Sequence, residues 1–243
     1  MDPQRIDMAA LEYPGRVIVI GAAPSGRAAV VYAITGRSPS SQARKLVHRD
    51  GGVWVEPTDE AALKTGNVDL LVYPALLFSP GGVAVSNGKQ TADVRDWLRP
   101  GLGPVPILSA ALAGWDFEPD APIFTPRISG CLAASGAALG VVRRGPSGET
   151  LRSFFEVRLR AGEGRLVSTY EGPNADPLPV FRGEPRFVDL VGSTAAETAA
   201  ACYGALGPAA EGRDFRVAVA VVFLDPAAPD RSEVRVINRH ERT

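Results

Sequence analysis

Three runs of β-branched and aliphatic residues constrain this chain most: Arg16–Ile20 (RVIVI), Ala28–Thr35 (AAVVYAIT) and Phe215–Leu224 (FRVAVAVVFL). Each is short, rich in Val and Ile and bounded by Gly or polar residues, which reads as buried strand. The first two flank the turn-rich hexapeptide GAAPSG and so form a hairpin. Shorter strands are expected at Val53–Val55, at Asn67–Tyr73 stopped by Pro74, and at Gly81–Asn87, which ends in Asn-Gly. Ala133–Arg143 reads as a buried strand region. Arg152–Arg160 and Arg165–Tyr170 alternate charged and apolar residues and read as a second hairpin, with Glu233–Ile237 as the last strand. Helices are expected at Thr91–Leu98 with Thr91 as cap, at Ile107–Trp115, and at Ala195–Leu206 capped by Ser193 or Thr194. Many strands in hairpins, about three helices and no regular βαβ alternation point to an α+β fold with largely antiparallel sheets. No repeat or clear linker divides the 243 residues, so residues 1–243 read as a single domain, with Gly172–Pro185 as its exposed loop.

Composition excludes several function classes. A formal net charge of -1 supplies no global field to gather a nucleic acid polymer, although a small anion needs only a local cluster of cations. Cys131 and Cys202 have no CxxC partner and read as buried reduced thiols. His48 and His240 lack partners at metal spacing and read as solvated. No metal or cofactor is expected. No run approaches ~18 apolar residues, and MDPQRIDMAALEYPGR lacks the apolar core of a signal peptide, so no membrane partner and a cytoplasmic location are expected. GAAPSGRA misses the phosphate-binding P-loop: Arg27 stands for its Lys, Ala28 for its Ser or Thr, and a β-branched segment follows where a helix should begin.

The segment Gly36–Lys45, GRSPSSQARK, gathers three cations and three hydroxyls in ten residues. Arg37 and Arg44 can each grip a phosphate with two parallel N–H groups, while Ser38, Ser40 and Ser41 can donate single hydrogen bonds. A solvated basic loop is the competing reading. Polar residues at other expected strand ends reinforce the cradle: Tyr13–Arg16 (YPGR), Tyr73, Asn87 and Gly88 with Thr91, TPRI from Thr125, the acidic string Asp116, Glu118 and Asp120, and STYE from Ser168.

In this order, YPGRVIVIG, VYAITGRSPSSQAR, VSNGKQT, LAGWDFEPDAPIFTPRI and VSTYE resemble the archaeal-type IMP cyclohydrolase family, from about Tyr13 to about Leu206. The resemblance implies a four-layer αββα sandwich similar to the N-terminal-nucleophile hydrolases, without their processed nucleophile, over residues 13–243 behind an N-terminal extension, 1–12. It implies a cofactor-free enzyme that closes the purine ring, converting 5-formamidoimidazole-4-carboxamide ribonucleotide to IMP. Its partner would be a small purine ribonucleotide, and the chain would be a homo-oligomer, with a tetramer as the suggested form. On this basis Arg37, Ser38, Ser41 and Arg44 are assigned to the 5′-phosphate. Arg127 is assigned to the carboxamide or the oxyanion, Tyr73 to the formyl oxygen, and Glu118 to the carboxylate that orients the amide or moves a proton. Asn87 and Gly88 are assigned to ribose or base, with Arg16, Tyr32 and Thr125 as further substrate contacts. The chain departs from the family's pattern at Phe124, where a polar residue is expected, and at Gly172, where a His is expected. These departures keep open a related ring-closing or ring-opening enzyme of a specialised pathway. A non-catalytic purine nucleotide-binding module and an N-terminal-nucleophile amidohydrolase are the other readings.

Overall fold

The computed structural model describes residues 5–58, 72–208, 212–225 and 228–241. The strands are β1 Arg16–Ala22, β2 Ala28–Thr35, β3 Arg44–Arg49, β4 Gly52–Pro57, β5 Tyr73–Ser79, β6 Gly82–Ser86, β7 Arg127–Ala133, β8 Gly136–Arg144, β9 Thr150–Val157, β10 Glu163–Ser168, β11 Arg186–Asp189, β12 Arg216–Asp225 and β13 Ala228–Asn238. Between them lie the helices α1 Pro39–Gln42, α2 Thr91–Asp96, α3 Pro104–Ala111 and α4 Ala195–Ala205. Six strands form one sheet in the order β11-β10-β1-β2-β12-β13, and seven form a second in chain order from β3 to β9. Neighbouring strands in both sheets run antiparallel, which makes the fold α+β. Among the described residues no helix is long and apolar enough to cross a membrane.

The unbroken apolar runs have a packing cause. Alternate residues of β1, β2 and β12 point to opposite faces, and both faces are covered. Ile18, Ile20, Val30, Ile34 and Val222 turn inward to meet Leu46, Val55, Leu76, Val85 and Leu139 of the second sheet. Val17, Val19, Val31, Val221 and Phe223 turn outward against Ala195, Ala199, Cys202 and Tyr203 of α4. The outer face of the second sheet packs Ala84, Cys131, Ala138 and Val142 against Val94 of α2 and Ile107 and Leu108 of α3. Thr194 caps α4 by accepting from the Glu197 amide. Cys131 and Cys202 are buried free thiols, as expected.

Several expected elements differ. The strand expected over Asn67–Tyr73 falls on residues of which 67–71 lie outside the described part. Pro74 does not stop a strand; it is the second residue of β5. It lies opposite Trp54, where the β4–β5 register shifts, a position at which a missing backbone donor is tolerated. Thr91 does not cap α2: Gln90 holds that place, and the Thr91 hydroxyl donates back to the Gly88 carbonyl at 2.8 Å. The third helix begins at Pro104, since proline suits a first turn, and stops at Ala111. Ala133–Arg143 is strand for most of its length, as expected, with Ala133 ending β7, a turn at Ala134 and Ser135, and β8 from Gly136. The second hairpin does not form. β9 pairs with β8, whereas β10 pairs with β1 and β11 in the other sheet. Residues 158–162 carry the chain across, held by the Gly162 amide donating to the Ala22 carbonyl at 2.9 Å. The loop over Gly172–Pro185 is largely exposed but anchored by buried Leu178 and Phe181.

Candidate functional site

The segment Gly36–Ala43 leaves β2 and enters β3, so it crosses from the first sheet to the second. At that edge lies a cleft of about 300 Å³ lined by the cations Arg16, Arg37 and Arg44, the carboxyl groups of Glu118 and Asp120, and the rings of Tyr13 and Tyr170. A larger groove, of about 460 Å³, runs between Met8 and Ala205 elsewhere on the molecule; its charged lining is Arg5, Asp7 and Asp189, so it lacks a comparable set of cations.

Local structure fixes Arg16 firmly. Gly15 has φ +75, and a Cβ there would sit 2.1 Å from the Thr169 hydroxyl and 2.7 Å from the Tyr170 ring. Only glycine allows that approach. The Thr35 hydroxyl donates to the Gly15 carbonyl and accepts from its amide, and the Arg16 amide donates to the Thr169 hydroxyl. The Arg16 side chain then enters the cleft half-buried, with an enclosed Nε that has no partner among the described residues. Burial would pull its pKa down, yet Tyr73, Glu118, Tyr170 and Tyr32 outweigh this and hold it well above the usual arginine value.

Arg44 is only 3% exposed, and its Nε donates to the Ser41 carbonyl at 2.8 Å. Burial and the like charge of Arg16 lower its pKa. Glu118 is 2% exposed; burial raises its carboxyl above the usual range, while Arg16 and Arg127 pull it back. A buried charge without full compensation is costly. Three guanidinium groups, Arg16, Arg37 and Arg44, against the carboxyls of Glu118 and Asp120 leave the cleft with an excess of positive charge and rich in N–H donors.

The expected contacts divide into three groups. Arg16, Arg37, Ser38, Ser41, Arg44 and Glu118 all line the cleft. Ser38 and Ser41 are also committed to a capping box on α1, where the Ser38 hydroxyl accepts from the Ser41 amide and the Ser41 hydroxyl accepts from the Ser38 amide. Arg37 donates to the Ala175 carbonyl at 3.2 Å and lies over the Tyr13 ring. Tyr32 and Tyr73 are buried and share a hydroxyl–hydroxyl bond of 2.8 Å; burial and the neighbouring Tyr73 raise the Tyr32 pKa well above its usual value.

The remaining four form a supporting wall. Asn87 donates to Glu118 Oε1 at 3.2 Å and to the Pro126 carbonyl, and accepts from Gln90 and the Ile128 amide. Its amide group is thereby fully used, and it orients Glu118. A Cβ on Gly88 would meet the side-chain ends of Gln90 at 2.6 Å and Arg127 at 3.0 Å. Arg127 lies over Trp115 and donates from Nε to the Asp116 carbonyl at 2.8 Å. Thr125 is fully buried and bonded to Asp120 and Tyr170. Phe124 takes a left-handed backbone (φ 52), packs on Phe117 and lies beneath Arg144. Gly172, with φ +129, offers its carbonyl to the Tyr13 amide.

Sequence reasoning assigned no role to Tyr13, Asp120 or Tyr170. Tyr13 stacks on Tyr170 at 5.6 Å and meets the edge of Phe215. All three lay inside YPGR, the acidic string and STYE, but only their convergence marks them. Among the described residues no group of three His, Cys, Asp or Glu side chains is placed to hold a metal ion.

The model of the family described as IMP cyclohydrolase-like protein matches residues 13–225. The chain is 30% identical to an IMP cyclohydrolase of Methanopyrus kandleri over 186 residues, 74% of this chain and 88% of that protein. It is 31% identical to one of Natronomonas pharaonis over 173 residues, 71% and 81% of the two chains. It is 28% identical to one of Methanothrix thermoacetophila over 167 residues, 68% and 78% of the two chains.

Proposed function

This chain belongs to the IMP cyclohydrolase-like family, and from that premise we propose that it closes the purine ring of 5-formamidoimidazole-4-carboxamide ribonucleotide to give IMP. The observation that carries the reading is the excess of positive charge in the cleft, where Arg16 and buried Arg44 face one buried carboxyl, Glu118, and Asp120 is tied to Thr125. A 5′-phosphate supplies the missing negative charge, and Arg37 at the mouth adds a third cation.

The reaction joins two arms of one molecule, so holding them in register removes much of its entropic barrier. The carboxamide nitrogen attacks the formyl carbon and gives up a proton. The formyl oxygen becomes a hydroxyl, takes a second proton as the formamide nitrogen loses its own, and leaves as water. Glu118, held by Asn87 and raised in pKa by burial, takes the first proton and returns it to the leaving oxygen. The Tyr73 phenol, paired with Tyr32, donates to the formyl oxygen, and Arg127 steadies developing negative charge from beside Glu118.

The helices on both outer faces of the paired sheets support reading the fold as a four-layer αββα sandwich similar to the N-terminal-nucleophile hydrolases. An interior core shared by both sheets supports reading the chain as a single domain. A homo-oligomer, on the resemblance alone, and a cytoplasmic location complete the proposal. The test is ultraviolet-monitored ring closure of the formamido nucleotide by the purified chain. Turnover that falls at least 100-fold in Arg44→Met and Glu118→Gln supports the assignment, and nucleotide binding with no turnover by the unaltered chain favours a binding module.

A further inference from the structure

Asp120, Thr125 and Tyr170 form a hydrogen-bonded chain whose proton directions the geometry determines. The Thr125 amide donates to Asp120 Oδ1 at 2.6 Å, and the Thr125 hydroxyl lies 2.5 Å from Asp120 Oδ2. An ionised carboxylate only accepts, so the single Thr125 hydroxyl proton points at Asp120. The Tyr170 hydroxyl lies 3.1 Å from the same Thr125 oxygen. That oxygen has no proton left to give, so Tyr170 donates to it. The phenol proton is thereby committed to Thr125, and a lone pair of the phenol oxygen is left to accept from a ligand in the cleft that Tyr170 lines.

We propose that Asp120, acting through Thr125, sets the Tyr170 phenol as an obligate hydrogen-bond acceptor that takes an N–H of the substrate's carboxamide arm. This rests on the ring-closing reading above and deepens it. An acceptor beside Glu118 selects the rotamer in which the carboxamide presents an N–H to Tyr170. After closure the same nitrogen is N1 of the hypoxanthine ring and still carries a hydrogen, so the contact persists in the product. Adenosine monophosphate has an unprotonated N1 and opposes a second lone pair to the phenol. Asp120 and Thr125 are positioning residues; Tyr170 makes the contact.

The chain can be reversed by one near-isosteric change. In Asp120→Asn the backbone amide of Thr125 cannot accept, so the new side-chain oxygen must stay opposite it. The NH2 group then faces the Thr125 hydroxyl and donates to it. Thr125 in turn donates to Tyr170, whose proton swings into the cleft. Calorimetric affinities for IMP and adenosine monophosphate read this directly. The unaltered chain is expected to favour IMP, and Asp120→Asn to shift the ratio of the two affinities by about tenfold toward adenosine monophosphate, the scale of one hydrogen bond exchanged for a clash. In a Tyr170→Phe background Asp120→Asn is expected to change that ratio less than twofold. An equal effect of Asp120→Asn on both nucleotides, or the same ratio shift with and without the phenol, overturns the proposal. Should Asp120→Asn fail to fold, Thr125→Val and Thr125→Ser carry the test: the valine variant must lose at least fivefold more IMP preference than the serine variant, and equal losses overturn it. Failure of the unaltered chain to bind IMP at all would instead remove the functional reading beneath it.

Discussion

The middle of the inter-sheet core and its cleft end are built from the same strands and obey opposite rules. Ile18 and Ile20 of β1 sit among aliphatic side chains. Two residues earlier, Arg16 enters the cleft with an Nε that has no partner among the described residues, beside buried Arg44 and Glu118. The dry half supplies free energy through burial, and the charged half spends it in holding poorly paired groups for a ligand. Stability and activity should therefore separate along one strand.

Substitutions can test that separation, beginning with the largest effect. Glu118→Gln should lower kcat about 1,000-fold in the ring-closure assay, within the usual range for losing a proton carrier, while the fold survives. Ile20→Ala should cost roughly 3 kcal/mol in urea unfolding, because the fully buried site cannot collapse around the gap, yet leave kcat/KM of the folded fraction within about twofold. Arg16→Met should reverse that pattern. It should lose about 100-fold in kcat/KM with little change in melting temperature, since the burial cost it escapes and the favourable field of Glu118 it gives up oppose each other. A clear loss of stability in Arg16→Met would break the comparison. Tyr32→Phe lies between the two halves and should cost about 1 kcal/mol, since it leaves the buried Tyr73 hydroxyl without its partner.

The smallest effect is a pH dependence. Burial places the folded-state pKa of Glu118 above its unfolded value of about 4.3, so its stabilising contribution is complete below that pH and is lost as pH rises through the folded-state value. The melting temperature of Glu118→Gln relative to the unaltered chain should thus climb from about pH 4 upward. A flat difference would mean that Arg16 and Arg127 cancel the burial cost.

Much of the dry half was legible in the sequence. RVIVI, AAVVYAIT and FRVAVAVVFL became β1, β2 and β12 because period-two placement of apolar residues on two covered faces leaves no other pattern. Thr194 announced α4 by its capping chemistry. The pairing of β9 and β10 was not legible, since alternation shows that a strand forms and says nothing about which sheet accepts it. The cleft was legible as a cluster of cations and hydroxyls in GRSPSSQARK, but the Ser38 and Ser41 hydroxyls are shared with a helix cap. Asp120 and Tyr170 escaped notice because their role depends on proton order across 50 positions of sequence, which no local pattern encodes. Asn87 and Gly88 stand out in the sequence as an Asn-Gly pair at a strand end, but that pattern does not reveal that Asn87 donates to Glu118 or that Gly88 lies against Gln90 and Arg127.

The place of β12 in the sheet has a consequence for biogenesis. It lies between β2 and β13, so a strand from the first 35 residues waits for one that begins at Arg216. Until then β2 has an open edge of apolar, β-branched backbone, the kind of surface that recruits like strands from other chains. Such distant pairing also slows folding. Emerging or refolding chains should therefore depend on dilution or on a chaperone that shields β2, and a circular permutant that brings β12 next to β2 in sequence should relieve that dependence.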